Sequence, residues 1–501
     1  MARLRKDVRG LGPGWSDTLL WYAKAVRALQ DRPVTDRTSW WFLAAIHGFH
    51  PAVWTQFEVV PAGTPLPQRA EIERFWLQCQ HQSWYFLPWH RAYLAAFEDI
   101  VRAAVVDAGG PADWALPYWN YSDATRPDAR TLPEAFDEET LPDGSTNPLR
   151  VVRRFGSGVK PIEIDPDFVS LQALENGAFT GDVPPGFGGP ETVFHHGPES
   201  VTTNGALESV PHNVVHGALG GVAPGGDPNN WRHFGLMSMP QSAALDPVFW
   251  LHHANIDRLW SVWLRGPDHA NPRELTWLDG PVGRSFVMPT RDGGERVYHA
   301  REVLDTTAPL LDYSYEDETP PVVEERARRR PGRLAAAVSA DRTPELVGAS
   351  EAAVHVQGTT RAAVRLDAAA MRPRGPARAA AAAAGEDEPL RVFLKLEGIR
   401  GSSDAAIYRV YLDPPGADAS ASDTRPVGTI SLFGVSAASS PEGPADGSGL
   451  NQVLEITESV GALRLSGDAL ERLEVRLVPA NPAGDGATVS IERLSVFQVR
   501  G

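Results

Sequence analysis

One cysteine stands in this 501-residue chain. Cys79 has no internal disulfide partner, and a cysteine-built structural zinc site is excluded with it. No apolar run reaches the ~18–20 residues needed to span a bilayer. The opening stretch, Met1-Ala2-Arg3-Leu4-Arg5-Lys6-Asp7, lacks the apolar core of a secretory leader. A cytoplasmic location is the default expectation, with partner-assisted export as the alternative. Positive charge is also scarce: 47 Lys+Arg against 63 Asp+Glu leave a net charge of −16. Such a balance repels a polyanion, so nucleic acid is not an expected partner. Tryptophan is missing after Trp277, although 15 occur before that point. That asymmetry, in a chain too long for one ordinary core, points to two differently built domains.

Residues 1–320 read as mainly helical. Ser16 to Gln30 carries Leu19, Leu20, Ala23, Val26 and Leu29 at helical spacing. Thr38 to Ile46 is a short apolar run ending at His47. Pro88 is expected to open a helix with Leu94, Phe97, Ile100 and Val101 on one side. Asp246-Pro247 is a helix start, an acid at the N-cap followed by proline at the first helical position. Long Pro/Gly-rich loops, 124–148 and 181–206, lie between these helices and suit a site shaped on a rigid frame. Residues 321–345 are charged and proline-bearing, as a linker would be. From 346 to 501 the pattern alternates in short runs, among them Val354–Gln357, Leu390–Leu396, Tyr408–Leu412, Thr429–Phe433, Leu473–Val478 and Val489–Leu494. An all-β, sandwich-like or barrel-like domain is expected there, interrupted by a low-complexity loop at 371–389.

Six of the 14 histidines form two sets of three. His47 closes an apolar helix, and His81 and His90 bracket an aromatic segment. His212 and His216 are four apart, a spacing that puts both rings on one helical face. His253 sits about one turn into the helix opened by Asp246. Neutral imidazole suits copper, zinc, iron and nickel, and ligation by histidine alone leans toward copper or zinc. Two trios in one helical domain lean toward a dinuclear site with open positions for O₂. His50, His195, His196, His233, His269, His299 and His355 have no partner at ligand spacing, and ordinary buried or solvated roles are expected for them.

Cys79-Gln80-His81-Gln82-Ser83-Trp84-Tyr85-Phe86-Leu87-Pro88-Trp89-His90-Arg91 resembles the copper A signature of tyrosinases, catechol oxidases and molluscan hemocyanins. Asp246-Pro247-Val248-Phe249-Trp250-Leu251-His252-His253-Ala254-Asn255-Ile256-Asp257-Arg258-Leu259-Trp260 resembles their copper B signature. Ala115-Leu116-Pro117-Tyr118-Trp119-Asn120-Tyr121 and Tyr313-Ser314-Tyr315 also look like this family. The resemblance is strong over about 1–320, and looser over the C-terminal region, which is similar to the β-sandwich that follows the catalytic domain in plant enzymes and hemocyanins.

The resemblance implies a four-helix bundle holding two coppers. It assigns His47, His81 and His90 to copper A, and His212, His216 and His253 to copper B. His252 is then a neighbour of the ligands rather than one of them. It also implies a thioether from Cys79 to His81. Glu208 and Asn213 are implied to hold a water that takes the proton of a monophenol, because a phenol with pKa near ~10 is mostly protonated at neutral pH. Asp257 is expected to bond either the second nitrogen of a ligand or an arginine, Arg91 or Arg258. Arg5 is expected to stack on Tyr313 or Tyr315. Met239 and Pro240 occupy the place of a bulky gate, which suggests an open entrance. The implied activity is ortho-hydroxylation of monophenols and oxidation of o-diphenols by O₂, latent while the C-terminal domain covers the site. The alternatives are a catechol or o-aminophenol oxidase, a hemocyanin-like O₂ carrier and, more distantly, a zinc hydrolase. A copper-delivery partner is a further expectation; the oligomeric state is left open.

Overall fold

Capping chemistry sets the helical frame. Ser16 Oγ accepts from Leu19 N at 3.3 Å and starts α1, Asp17–Gln30. Ser39 Oγ accepts from Phe42 N at 3.0 Å and starts α2, Trp40–His47. The next long helix, α3, spans Phe86–Asp107. It opens two residues before Pro88, because a proline in the first turn forfeits no intrahelical hydrogen bond. A short helix, α4, covers Val214–Gly220. Asp246 accepts from Val248 N at 3.0 Å, with Pro247 at the first helical position, and starts α5, Pro247–Trp263.

The computed structural model describes residues 2–194, 203–280, 286–320, 343–367, 391–413, 425–441, 446–465 and 471–499. The linker expectation for 321–345 falls mostly outside these, and the loop at 371–389, His195 and His196 fall wholly outside.

Helices α1, α2, α3 and α5 pack as a bundle whose core is aromatic. Phe97 and Trp250 stack with centroids 3.4 Å apart and planes within 5°. Trp40, Trp54, Trp76, Trp89 and Trp119 are likewise fully buried. This core accounts for the crowding of tryptophan into the stretch that ends at Trp277. Arg3–Arg5 pairs in parallel with Tyr313–Tyr315 and ties the two ends of the domain together. As expected, Arg5 lies over the Tyr313 ring, 3.5 Å from its centroid.

The second domain is one antiparallel sheet. Its strands run in the spatial order Gly428–Ser431, Ile407–Asp413, Arg472–Pro479, Thr360–Leu366, Glu345–Ala349, Val489–Val499, Arg391–Gly401 and Leu450–Glu455, with Val354–Val356 paired to Val489–Val499. The outermost strands approach each other, Gln452 Nε2 reaching Ser431 O at 3.4 Å. The sheet is therefore barrel-like, wrapped around its own core of Val364, Leu394, Leu396, Val410 and Leu494. Two barrel residues, Ile407 and Phe433, pack instead into the helical domain's core. Among the described residues no helix is long and apolar enough to cross a membrane.

Candidate metal centre

The bundle brings six imidazoles to one place. His47 ends α2, His90 lies near the start of α3 and His253 near the start of α5. His81 precedes α3. His216 lies in α4, while His212 belongs to a wide turn, Glu208–Asn213, kinked at Val210. The kink lies before His212, and Asn213 and Val214 are helical, so the two histidines share a helical face as expected, with rings 4.6 Å apart.

Within the first trio, centroids are separated by 5.5 Å (His47 to His81), 5.8 Å (His47 to His90) and 5.8 Å (His81 to His90). Within the second they are 4.6 Å (His212 to His216), 4.8 Å (His212 to His253) and 5.7 Å (His216 to His253). The trios face each other. His90 and His253 stack at 4.5 Å and 13°, and His81 lies 5.7 Å from His212.

Carbonyl oxygens fix which nitrogen points inward. His47 Nδ1 donates to Pro240 O at 2.9 Å, His90 Nδ1 to Phe86 O at 2.8 Å and His216 Nδ1 to Met237 O at 3.0 Å. His212 Nδ1 donates to Asn213 Oδ1 at 2.8 Å. A ring whose Nδ1 carries the proton presents a lone pair at Nε2. The Nε2 atoms of His47 and His216 are buried with no partner, and those of His212 and His253 lie 3.3 Å apart. Lone pairs gathered this closely out of water call for cations between them. Burial also keeps the rings neutral, lowering His47 to about 4 and His212 to about 3, and pushing His90, His216 and His253 well down. The donor sets fit copper: three imidazoles on one side and four on the other, where His252 is the fourth, no carboxylate within either set, and a single sulfur beside the first.

That sulfur is Cys79. Its Sγ is 3.6 Å from His81 Nδ1 and 3.8 Å from His81 Nε2. Near-equal distances put it close to the plane that bisects the two nitrogens and contains the ring carbon between them. Sγ is also 3.4 Å from His90 Nε2. Glu208 is fully buried, and its carboxylate accepts from Gln82 N at 2.9 Å and Gly205 N at 3.4 Å. Burial raises it to about 8. Asn213 spends its side-chain oxygen on His212, and its carbonyl accepts from Ser431 Oγ of the barrel at 2.9 Å.

Of the two expectations for Asp257, the arginine one holds. It accepts from Arg91 Nε at 2.5 Å, Tyr313 Oη at 2.6 Å and Tyr315 Oη at 2.5 Å, with Arg5 at 3.5 Å, so it braces α5 against α3 and the chain's first strand. His252 joins the second trio in space, its ring 5.3 Å from His212 and 5.0 Å from His216. Pro240 lends its carbonyl to His47, and Met239 is buried. No bulky aromatic stands at these two positions, and the aromatic cover comes instead from the barrel. Phe433 stacks on His216 at 4.2 Å and 20°, and also approaches His81 and His212. Nothing in the local sequence of Phe433 separates it from an ordinary strand-end residue. The other described histidines stay apart: His269 stacks on Trp263, and His299 Nδ1 donates to Asp279 O.

Residues 37–266 match a family described as the common central domain of tyrosinase, and residues 343–499 match a domain of unknown function. A tyrosinase of Hahella sp. (strain CCB-MM4) is 34% identical over 505 residues, covering 96% of each chain. Polyphenol oxidase B of Solanum lycopersicum is 32% identical over 248 residues, 47% of this chain and 39% of that one. The solved latent apple tyrosinase shares the fold, with a TM-score of 0.60 at 20% identity over 99% of this chain and 97% of its own. Likeness along nearly the whole length, joined to two opposed histidine trios, puts the chain in the tyrosinase and polyphenol oxidase family as a dicopper phenol oxidase.

Proposed function

We propose that this enzyme hydroxylates monophenols at the ortho position, oxidises o-diphenols to o-quinones, and is held latent by its barrel. In this reading His47, His81 and His90 hold one copper, and His212, His216 and His253 the other. The observation that carries it is the facing of two trios whose carbonyl-bonded rings turn Nε2 inward. When bound, the copper pair supplies O₂ activation and the electron sink for phenol oxidation.

The chain's own residues then bind, orient and deprotonate. A phenol loses its proton poorly near neutrality, since its pKa is about 10. Glu208, raised toward neutrality by burial, is a base matched to that task. It acts through a water held with Asn213, because its carboxylate and the Asn213 side chain bond other groups rather than each other. Metal charge nearby draws Glu208 back toward its ionised, proton-accepting form. The His216 face covered by Phe433 is an aromatic surface of the kind a phenol ring stacks on. The barrel is held over it by Arg409, bonded to Asp165 at 2.6 Å and Asp167 at 3.2 Å, and by Ser431 on Asn213.

The test is to load the protein with copper and record near-ultraviolet absorption after hydrogen peroxide. Catechol and tyramine turnover is then measured before and after limited proteolysis. A strong new band with turnover of both substrates after cleavage is expected. Catechol turnover alone would reduce the enzyme to a diphenol oxidase, and reversible O₂ binding without turnover would make it a carrier.

A further inference from the structure

Four imidazoles, not three, gather at the second metal position. One ring nitrogen each from His212, His216, His252 and His253 lies within 4.8 Å of the others, and all four residues are buried. A site closed by four protein donors is the structural kind, whereas a catalytic metal needs a vacant position. Something must keep one of the four off the ion.

The hydrogen bonds distinguish them. His212 and His216 each meet an oxygen that can only accept, Asn213 Oδ1 and Met237 O, so Nδ1 must carry the proton and Nε2 the lone pair. His252 meets a hydroxyl. Tyr121 Oη lies 3.0 Å from His252 Nδ1, and Tyr121 is completely buried. A buried hydroxyl has to place its proton. Among the described hydrogen bonds His252 Nδ1 is the partner of the Tyr121 hydroxyl, and the neighbouring Asn255 Oδ1 accepts instead from Arg258 Nε at 2.9 Å. The Tyr121 proton therefore goes to His252 Nδ1. That forces the His252 proton onto Nε2, which is buried without a partner. An imidazole protonated at Nε2, with Nδ1 occupied, has no lone pair to give a metal.

We propose that Tyr121 is a positioning residue that locks His252 in the Nε2–H tautomer, so that the second copper keeps three ligands and an open position. The inference rests on the dicopper reading above. It also gives a physical reason why, of the neighbours His252 and His253, the second ligates.

The experiment uses the full-length, copper-loaded protein and three variants, with copper content, copper(II) electron paramagnetic resonance and the peroxide-induced band as readouts. Wild type should hold two coppers and be resonance-silent, as a bridged copper(II) pair is; if it is not, the dicopper reading fails before the inference is reached. Tyr121→Phe removes the lock and lets Nε2 bind. It should keep two coppers, lose most of the band and show a copper(II) signal, with activity down about 10–100-fold. Adding His252→Phe to that variant should restore silence and the band, because the intruding imidazole is gone. A general loss of structure at Tyr121 would not be rescued this way, so failure of the rescue, or an unchanged Tyr121→Phe spectrum, overturns the proposal. Should Tyr121→Phe not fold, His252→Phe alone decides: two coppers retained supports a non-ligand His252, and one copper lost overturns it.

Discussion

The Phe433 ring, carried on the barrel, lies 4.2 Å from the His216 ring of the helical domain with their planes 20° from parallel. Phe433 is the second residue after strand Gly428–Ser431, and Ser431 itself bonds the Asn213 carbonyl at 2.9 Å. Just beyond, buried Asp404 accepts from the backbone and side chain of Ser436 and holds the turn that follows the ring. A phenol cannot lie on His216 while Phe433 does. Phe433→Ala should therefore raise catechol turnover of uncleaved enzyme by about 10–100-fold, the effect of removing ~1.4–2.8 kcal/mol from the closed state. Protease-treated enzyme should change little. Assays before and after cleavage check this, and a variant that stays equally latent would place the block elsewhere.

Glu208 offers a sharper separation of substrates. Its carboxylate bonds two backbone N–H groups, Gln82 N with both oxygens and Gly205 N with one, and the single oxygen of a glutamine can accept from both once its amide nitrogen turns away from Gln82 N. Glu208→Gln should hence fold and load copper normally while losing the base. Monophenol hydroxylation should fall about 10²–10⁴-fold, the usual worth of a positioned base. Diphenol oxidation should fall much less, and the ratio of tyramine to catechol turnover is the measurement. Asn213→Ala is the poorer variant, because the same side chain also holds His212 Nδ1.

Much of this was legible in the residues because the chemistry is local. Asp246 with Pro247 marks the start of α5 to the residue, since capping needs only neighbours. The histidine trios stand out because ligand spacing and flanking aromatics occur together. What stayed hidden was decided by tertiary contact. Phe433 has the pattern of a strand-end residue, and only the docking of the barrel turns it onto His216. Strands Glu345–Ala349 and Leu450–Glu455 alternate weakly, the first containing Gly348 and the second Asn451 and Gln452. The place of His252 among the ligands follows from how α5 packs against α4, and spacing alone cannot show it.

Cys79 yields a prediction read by mass. Its Sγ lies almost equally far from the two ring nitrogens of His81, at 3.6 and 3.8 Å. Burial pushes the thiol well above its ordinary pKa, so an apo protein should carry it as an unreactive thiol. Copper loading in air supplies the oxidant for a carbon–sulfur bond at the ring. The peptide holding residues 79–81 should then weigh two hydrogen atoms less than in apo protein and resist thiol alkylation. Cys79→Ser should still bind two coppers, since oxygen there removes no imidazole. A mass unchanged after full turnover would show Cys79 to be a packing thiol only.

Acid should unfold the metal-free protein, and copper should oppose it. Burial lowers the folded-state pKa of His47, His90, His212, His216, His252 and His253 below the ordinary 6.5. Below that pH the unfolded chain binds protons that the folded chain refuses, so stability falls as pH falls. Three buried acids act the other way, Asp7 by a rise that burial causes. Glu208, raised to about 8, and Asp404, raised to about 7, hold protons in the fold that the unfolded chain has released, so each favours the fold more as pH drops toward 4.5. Six groups against three leave a net loss between pH 6.5 and 4.5. Above pH 7 the histidines are neutral in both states, and Glu208 alone gives a mild decline up to about 8. The apo melting temperature should therefore peak near neutrality and drop steeply on the acid side. Copper, which binds neutral imidazole only, should raise the whole curve at pH 7 and lose that advantage as protons displace it. Thermal melts of apo and loaded protein across this range test it, and an apo curve that is flat from pH 7 to 5 would mean the six rings are not held neutral by the fold.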